Sequence, residues 1–95
     1  MMGILQVASY IYKRYMDDFG ARIDEMKLHK LLYFTQRECL IQKGEPMFGA
    51  QFEAWKYGPV MVQIRQHYKN DSFPELMDKE QVVQYEPVFD MVFKT

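Results

Sequence analysis

Residues 24–44, DEMKLHKLLYFTQRECLIQKG, carry the longest helical pattern in the chain. Asp24 is a good N-cap, and Glu25 places a negative charge in the first turn, where the helix dipole favours it. Lys43 and Gly44 predict the C-terminus, because glycine is common just after the last helical residue. Apolar and small residues recur at three- and four-residue spacing: Leu28, Leu31, Leu32, Thr35 and Cys39. This face is expected to pack into the core.

A first helix is predicted upstream of this stretch. One face again repeats at three- and four-residue spacing, and the pattern ends near Gly20. The residues of this face are Ile4, Val7, Ala8, Ile11, Tyr12, Tyr15 and Phe19. Two amphipathic helices close together in sequence indicate a helical core.

Downstream of Gly44 the pattern changes to short strands. Phe52–Tyr57 alternates apolar and polar residues, so we read Pro46–Phe48 and Phe52–Tyr57 as a small hairpin. Pro59 is well placed to open a third helix, since a proline at the first helical position loses no intrahelical bond. The predicted buried face of that helix is Val60, Ile64 and either Met61 or Tyr68, and the helix should stop at Asn70, Asp71, Ser72 and Pro74.

The C-terminal part predicts a short turn and then a last helix. Asp78 could cap the turn through Gln81, and Pro87 could begin a helix in which Val88, Met91 and Val92 share a face. That face is still running at residues 94–95 with no capping residue, which indicates either a shortened chain or a disordered remainder. The expected fold class is mostly α, with a short β-hairpin between helices two and three as a minor α+β element. We expect a single domain over residues 1–95, incomplete at its C-terminus.

Composition narrows the function classes. A chain of 95 residues fits one domain, and 48% hydrophobic residues predict a folded one. Twelve basic against thirteen acidic residues give a net charge of −1, which argues against a nucleic-acid binder. The single cysteine fits a reducing cytosol. With neither a signal peptide nor an apolar run long enough to span a bilayer, we expect a cytoplasmic protein without a membrane partner.

The sequence offers little catalytic chemistry. His29 and His67 are the two histidines, and neither sits in a metal-ligand pattern. For His29, a helix-flank histidine bonded to water or backbone is favoured over a ligand or base. Cys39 lies on an apolar face, so a buried small residue is favoured over a nucleophile. The five glycines are scattered and form no phosphate loop. We therefore predict no catalytic residue, no metal and no cofactor.

Two stretches leave alternatives open. Basic residues on the second helix interleave with Tyr33 and Phe34, as on a nucleic-acid face, but nearby glutamates dilute them and favour a solvated face. The basic residues are Lys27, Lys30, Arg37 and Lys43. Phe52–Val60 holds the one tryptophan beside a tyrosine, and aromatic residues serve both cores and interfaces. Composition favours core for this segment.

Two segments together resemble the Panacea domain, a phage-associated family also called SocA-like or GepA-like. Lys27–Gln36, KLHKLLYFTQ, resembles the family's leucine-rich helix, with His29 in place of a glutamine. Phe52–Val60, FEAWKYGPV, resembles its signature almost residue for residue, and the turn Gly44–Phe48 gives matching spacing. The resemblance covers Ile4 to about Lys69. Family members continue through further helices, so it also implies an incomplete domain.

The resemblance implies an antitoxin and not an enzyme. Members are encoded beside diverse toxins and neutralise them by direct contact, and one branch resembles an adaptor that delivers its toxin to a AAA+ protease. The alternatives are a DNA-binding autoregulator of the operon and a non-functional prophage remnant that could homodimerise. The residues expected to bind a partner or define the fold are Lys30, Tyr33, Glu53, Trp55, Lys56, Tyr57, Gly58, Pro59 and Val60. Whether Trp55–Val60 is core or interface stays open.

Overall fold

The computed structural model describes residues 2–49, 53–55, 58–60, 62–73 and 77–94, and the side chains of 2–49, 64–73 and 77–94. Within these residues the chain forms four helices and one two-stranded antiparallel ribbon. In chain order they are α1 Ile4–Phe19, α2 Glu25–Lys43, β1 Glu53–Trp55, β2 Gly58–Val60, α3 Val62–Lys69 and α4 Lys79–Lys94. The prediction of a mostly helical fold is confirmed.

α1 follows its predicted bounds. Gly20 has a φ of 67°, and its N–H donates to the carbonyl of Met16 over 2.8 Å, which closes the helix in the left-handed conformation that glycine adopts readily. Val7, Ala8 and Ile11 are buried, as the spacing predicts. The predicted face extends too far, because Phe19 at the end of the helix is 59% exposed and contacts Tyr15.

α2 is the central element and packs against α1, α4 and β2. The Asp24 side chain accepts a hydrogen bond from the Lys27 N–H over 2.8 Å, so the predicted N-cap is confirmed. Gly44 closes the helix with a φ of 72°. Its buried residues are those the spacing predicts, together with His29: Leu28, His29, Leu31, Leu32, Thr35 and Cys39.

The core lies between α1, α2 and α4, with Met47 and Phe48 entering from the segment after α2. The rings of Tyr10 in α1 and Phe89 in α4 contact each other, with centroids 4.4 Å apart. Burying each large apolar side chain contributes about 1.5–3 kcal/mol, so these contacts dominate the stability of the fold. The largest fully buried apolar side chains are Phe48, Phe89, Ile11, Ile23, Leu28, Leu32, Met47 and Ile64.

The predicted pairing of Pro46–Phe48 with Phe52–Tyr57 is wrong. β1 pairs instead with β2, in a register that sets Ala54 opposite Pro59. Phe48 forms an isolated parallel bridge with Met2, whose N–H donates to the carbonyl of Met47 over 2.6 Å. Met2 thus takes the Met47 carbonyl, and the Gln36 side chain takes the N–H groups of Met47 and Phe48 and the Phe48 carbonyl, so these groups are not available to the predicted hairpin.

Pro59 does not open α3, because it lies in β2 and the helix begins at Val62. A proline is compatible with a two-stranded ribbon, since both strands are edges and leave backbone groups outside the ladder. The predicted burial of Ile64 is confirmed, Tyr68 is partly buried, and the helix ends at Lys69 before the predicted stop residues. The side chains of Val60 and Met61 lie outside the described residues.

α4 is one helix and does not begin at Pro87, which lies inside it. The helix starts earlier because Asp78 Oδ1 accepts from the Gln81 N–H over 2.9 Å, while Gln81 Oε1 accepts from the Asp78 N–H over 3.1 Å. Pro87 leaves the carbonyl of Val83 without an intrahelical donor. Val83 is on the exposed side, where water can satisfy it. Val88 and Val92 are buried as predicted, whereas Met91 is 48% exposed.

Candidate protein-binding surface

A charged cluster holds the N-terminal half of α2 against α3. Glu25 Oε2 lies 3.2 Å from His29 Nε2 and 2.8 Å from Arg65 Nε. His29 is fully buried, which corrects the expectation of a helix-flank histidine bonded to water or backbone. Burial lowers the pKa of the His29 imidazole, the Glu25 hydrogen bond opposes that shift, and the Arg65 charge adds to it. The cluster therefore links α2 to α3, and its His29 ring is shielded from solvent.

Gln36 fixes the segment that follows α2. Its Nε2 donates to the carbonyl of Phe48 over 2.5 Å, and its Oε1 accepts from the N–H groups of Met47 and Phe48 over 2.8 and 3.3 Å. A side-chain amide with donor and acceptor can satisfy an extended backbone in this way. Gln36 is the last residue of the helical segment that resembles the Panacea family. The C-terminal end of this motif therefore has a structural role.

The side of α2 that faces away from the core is exposed to solvent and is mainly apolar. Its residues follow three- and four-residue spacing, and we call them the α2 strip: Lys30, Tyr33, Phe34, Arg37, Leu40 and Ile41. All six are exposed, from 39% for Tyr33 to 65% for Ile41 among the apolar members. Exposed apolar residues that adjoin one another mark interaction sites more often than scattered ones do.

Two hollows open on this surface and share Arg37. The first has a volume of about 330 Å³ and lies between α2 and α4, lined by Phe34, Arg37, Glu38, Met91 and Val92. The second, of about 410 Å³, lies along α2 and is lined by Tyr33, Gln36, Arg37, Leu40 and Ile41. Each hollow can receive an apolar side chain from a partner, and Arg37 would then lie between the two.

Arg37 differs from the other three arginines in its contacts. Arg14 pairs with Asp90 over 2.9 Å and with Asp18 over 3.5 Å, and it stacks on Phe93. Arg22 donates to the Tyr12 hydroxyl and the Tyr68 carbonyl, and Arg65 pairs with Glu25. Arg37 forms no ion pair or hydrogen bond with any residue that the structure describes.

Few of the residues singled out from the sequence can be located on this surface. Lys30 and Tyr33 lie on the α2 strip. Glu53, Trp55, Gly58, Pro59 and Val60 have described backbones in β1 and β2, while their side chains, and Lys56 and Tyr57 altogether, lie outside the described residues. A shared groove of Trp55, Tyr57 and the Lys30/Tyr33 helix therefore stays a prediction.

Sequence reasoning considered Phe34 and Arg37 only as part of a possible nucleic-acid face, and it missed Leu40 and Ile41. Phe34, Leu40 and Ile41 have helical spacing of their own, and Arg37 lies between them, but a single sequence does not show which of two apolar faces is covered. Because both sides of α2 carry large apolar residues, the amphipathicity of its sequence does not indicate which side is buried. The signal that could have found them is the second apolar stripe itself.

Cys39, by contrast, is where the sequence predicts it, fully buried on the core side of α2. Burial raises the pKa of its thiol, which keeps the group protonated and unreactive near neutral pH. Among the described side chains, no cluster of three or more histidine, cysteine or acidic residues could hold a metal ion. None of the described helices is both long and apolar enough to cross a bilayer.

Comparisons with known proteins agree with the motif resemblance. The profile of one family, described as antitoxin SocA-like, Panacea domain, matches residues 28–90, which is more than half of the chain. Antitoxin SocA of Caulobacter vibrioides (strain NA1000 / CB15N) is 50% identical over 38 residues, covering 40% of this chain and 20% of that protein. The match thus spans about a fifth of the relative's length. No solved structure matches the chain.

Proposed function

Since this chain belongs to the antitoxin SocA-like, Panacea-domain family, we propose that it is an antitoxin that neutralises a cognate toxin protein by direct contact. The family match over residues 28–90 is the observation that carries this proposal. The relative it matches is an antitoxin by name. The role proposed for this chain is binding and not catalysis.

The exposed surface of α2 supports a binding role. Phe34, Leu40 and Ile41 expose large apolar side chains to water. Covering them with a partner would be favourable, because it removes apolar surface from water. The buried residues of the same helix, Leu28, Leu32 and Thr35, face the core. One helix thus combines a face that holds the fold with a face that is free to meet a partner.

Co-expression tests this proposal. The product of the gene adjacent to that of this chain is expressed in a host lacking both, with and without the chain. We expect growth arrest with the adjacent product alone and restored growth when the chain is present. An adjacent product that is harmless, or that arrests growth equally in the presence of the chain, would refute the proposal.

The route of neutralisation can be separated in the same cells. Inhibition by contact leaves the amount of toxin unchanged, whereas an adaptor that delivers the toxin to a AAA+ protease lowers it. We propose contact alone as the primary route, because it needs one partner. Immunoblots of the tagged toxin distinguish the two, since a toxin level that falls with the chain and recovers on deletion of the protease identifies an adaptor. We place this encounter in the cytoplasm, where the unpaired Cys39 would stay reduced.

A second candidate is a DNA-binding autoregulator. It is favoured by Lys30 and Arg37, two exposed cations on one helix face. The overall charge of −1 opposes it, because phosphate contacts supply most of the affinity for DNA. A gel shift with the upstream DNA at moderate salt separates the candidates. A shift at micromolar protein would favour this candidate, and its absence would remove it.

A further inference from the structure

The charge and contacts of Arg37 indicate what kind of partner would cover the α2 strip. The two hollows of the strip are lined by apolar residues and lie on either side of the Arg37 guanidinium. Resting on the proposed function, we infer that the α2 strip receives an amphipathic α-helix of the toxin, with apolar anchors in the two hollows and a carboxylate on Arg37.

The dimensions of the strip suit a helix. From Lys30 to Ile41 it covers about 17 Å along the axis of α2, which is roughly three helical turns. A helix laid in a groove presents anchors at positions i, i+3 or i+4, and i+7 of its own sequence. Met91, contributed by α4, forms one wall of the first hollow, so the docked helix would contact two elements.

Charge complementarity requires an acidic partner. Arg37 has neither an ion pair nor a hydrogen bond among the described residues, whereas Arg14 and Arg65 pair with carboxylates and Arg22 donates hydrogen bonds to Tyr12 and Tyr68. Lys30, at the N-terminal end of the strip, is a second exposed cation. Among the described residues that line the hollows, Glu38 is the one acidic residue, and it accepts a hydrogen bond from Gln42 over 3.1 Å. A guanidinium can bind a carboxylate through two parallel hydrogen bonds. A partner that buried Arg37 without supplying a carboxylate would leave an unpaired charge in the interface, which is costly.

The same charge argues against two other occupants. In a symmetric pairing of two copies along this strip, the central Arg37 of one copy would meet Arg37 of the other, which like-charge repulsion disfavours. A nucleic acid would be held mainly through phosphate contacts from polar and basic groups. The strip has four apolar residues and two cations, so most of its surface would gain nothing from a phosphate backbone.

Calorimetric titration of the full chain with the purified product of the adjacent gene tests this inference. Ile41→Asp places a charge on the second hollow, and Arg37→Glu reverses the charge between the hollows. Both are expected to weaken binding on the order of 30-fold or more, as for central interface residues. Val83→Asp is the matched control, because Val83 is an aliphatic helix residue 67% exposed, against 65% for Ile41, and it lines neither hollow. It should bind as the unsubstituted chain does.

A charge swap tests the carboxylate directly. One acidic-to-lysine substitution on a toxin helix should restore binding to the Arg37→Glu chain while weakening binding to the unsubstituted chain. If the unsubstituted chain binds and all three variants bind equally well, the surface is wrong and the antitoxin proposal stands. If the unsubstituted chain does not bind, both fail. Light scattering that shows a dimer dissociated by Ile41→Asp, or a DNA shift lost in Arg37→Glu, would overturn the inference in favour of a second copy or a nucleic acid.

Discussion

Gln36 on α2 binds the backbone of Phe48 from both sides, donating to its carbonyl over 2.5 Å and accepting from its N–H over 3.3 Å. Phe48 is fully buried, so its backbone groups have little access to water. The amide therefore replaces the partners that a regular strand would have supplied. This contact ties α2 to the segment Met47–Phe48 that follows it.

Substituting Gln36 with leucine is expected to lower the free energy of unfolding by about 2–3 kcal/mol. The change removes hydrogen bonds to Met47 and Phe48 and leaves partly buried backbone groups without partners. Gln42→Leu is the control on the same helix, because the hydrogen bonds that Gln42 donates to Glu38 and to the Pro87 carbonyl are exposed, so water can replace them and the substitution should cost about 0.5 kcal/mol or less. Urea denaturation measures both. Equal effects of the two substitutions would show that the Gln36 hydrogen bonds to Met47 and Phe48 do not stabilise the fold.

The buried His29 makes stability depend on pH. In the unfolded chain the imidazole takes up a proton near pH 6.5, whereas burial lowers its pKa in the folded chain. The unfolded state therefore binds more protons below about pH 6.5, and the free energy of unfolding falls there by up to about 1.4 kcal/mol per pH unit. Above that pH both states are neutral at this site and the contribution is constant.

Denaturation of the unsubstituted chain and of His29→Gln at pH 7.5 and 5.5 checks this dependence. The loss of stability between the two pH values should be smaller in His29→Gln, since the other titrating groups are common to both. An NMR titration of the His29 ring gives a second measurement, with a midpoint expected below 6.5. A midpoint above that value would mean that the Glu25 hydrogen bond outweighs burial.

Gly44 is expected to be sensitive to substitution for a conformational reason and not a steric one. Its φ is 72°, and a Cβ there would meet nothing within 4 Å. Gly44→Ala should therefore cost about 1 kcal/mol, the penalty of a left-handed residue with a side chain, and Gly44→Asn should cost less. Thermal denaturation measures the difference. A cost for Gly44→Asn as large as for Gly44→Ala would contradict this explanation.

The helices that could be predicted from the sequence are those whose ends carry local signals. Asp24, Gly20 and Gly44 act within four residues of themselves, so α1 and α2 have the predicted bounds. The strand pairing could not be predicted, because Phe48 is held by Gln36, 12 residues before it, and bridges Met2 near the start of the chain. Such contacts leave no trace in a local pattern.

The same limit explains α4 and the candidate surface. Pro87 predicts a helix start by itself, but the reciprocal hydrogen bonds of Asp78 and Gln81 had already begun the helix. On α2 both the core face and the strip carry large apolar residues, so which one is covered depends on α1 and α4. The family motif singled out Lys30 and Tyr33 as partner-binding or fold-defining residues, while Arg37 and Ile41 became candidates for this surface through their exposure in the structure.

The central claim is that one face of α2 holds the fold while the other recognises the toxin. The most direct test is a growth assay in which cells express the adjacent gene product together with either the Ile41→Asp or the Val83→Asp chain. The thermal midpoint of each purified variant is measured alongside. We expect both midpoints to stay close to that of the unsubstituted chain, because both sites are exposed. Growth should fail with Ile41→Asp and be restored with Val83→Asp. Full growth with a folded Ile41→Asp chain would contradict the claim.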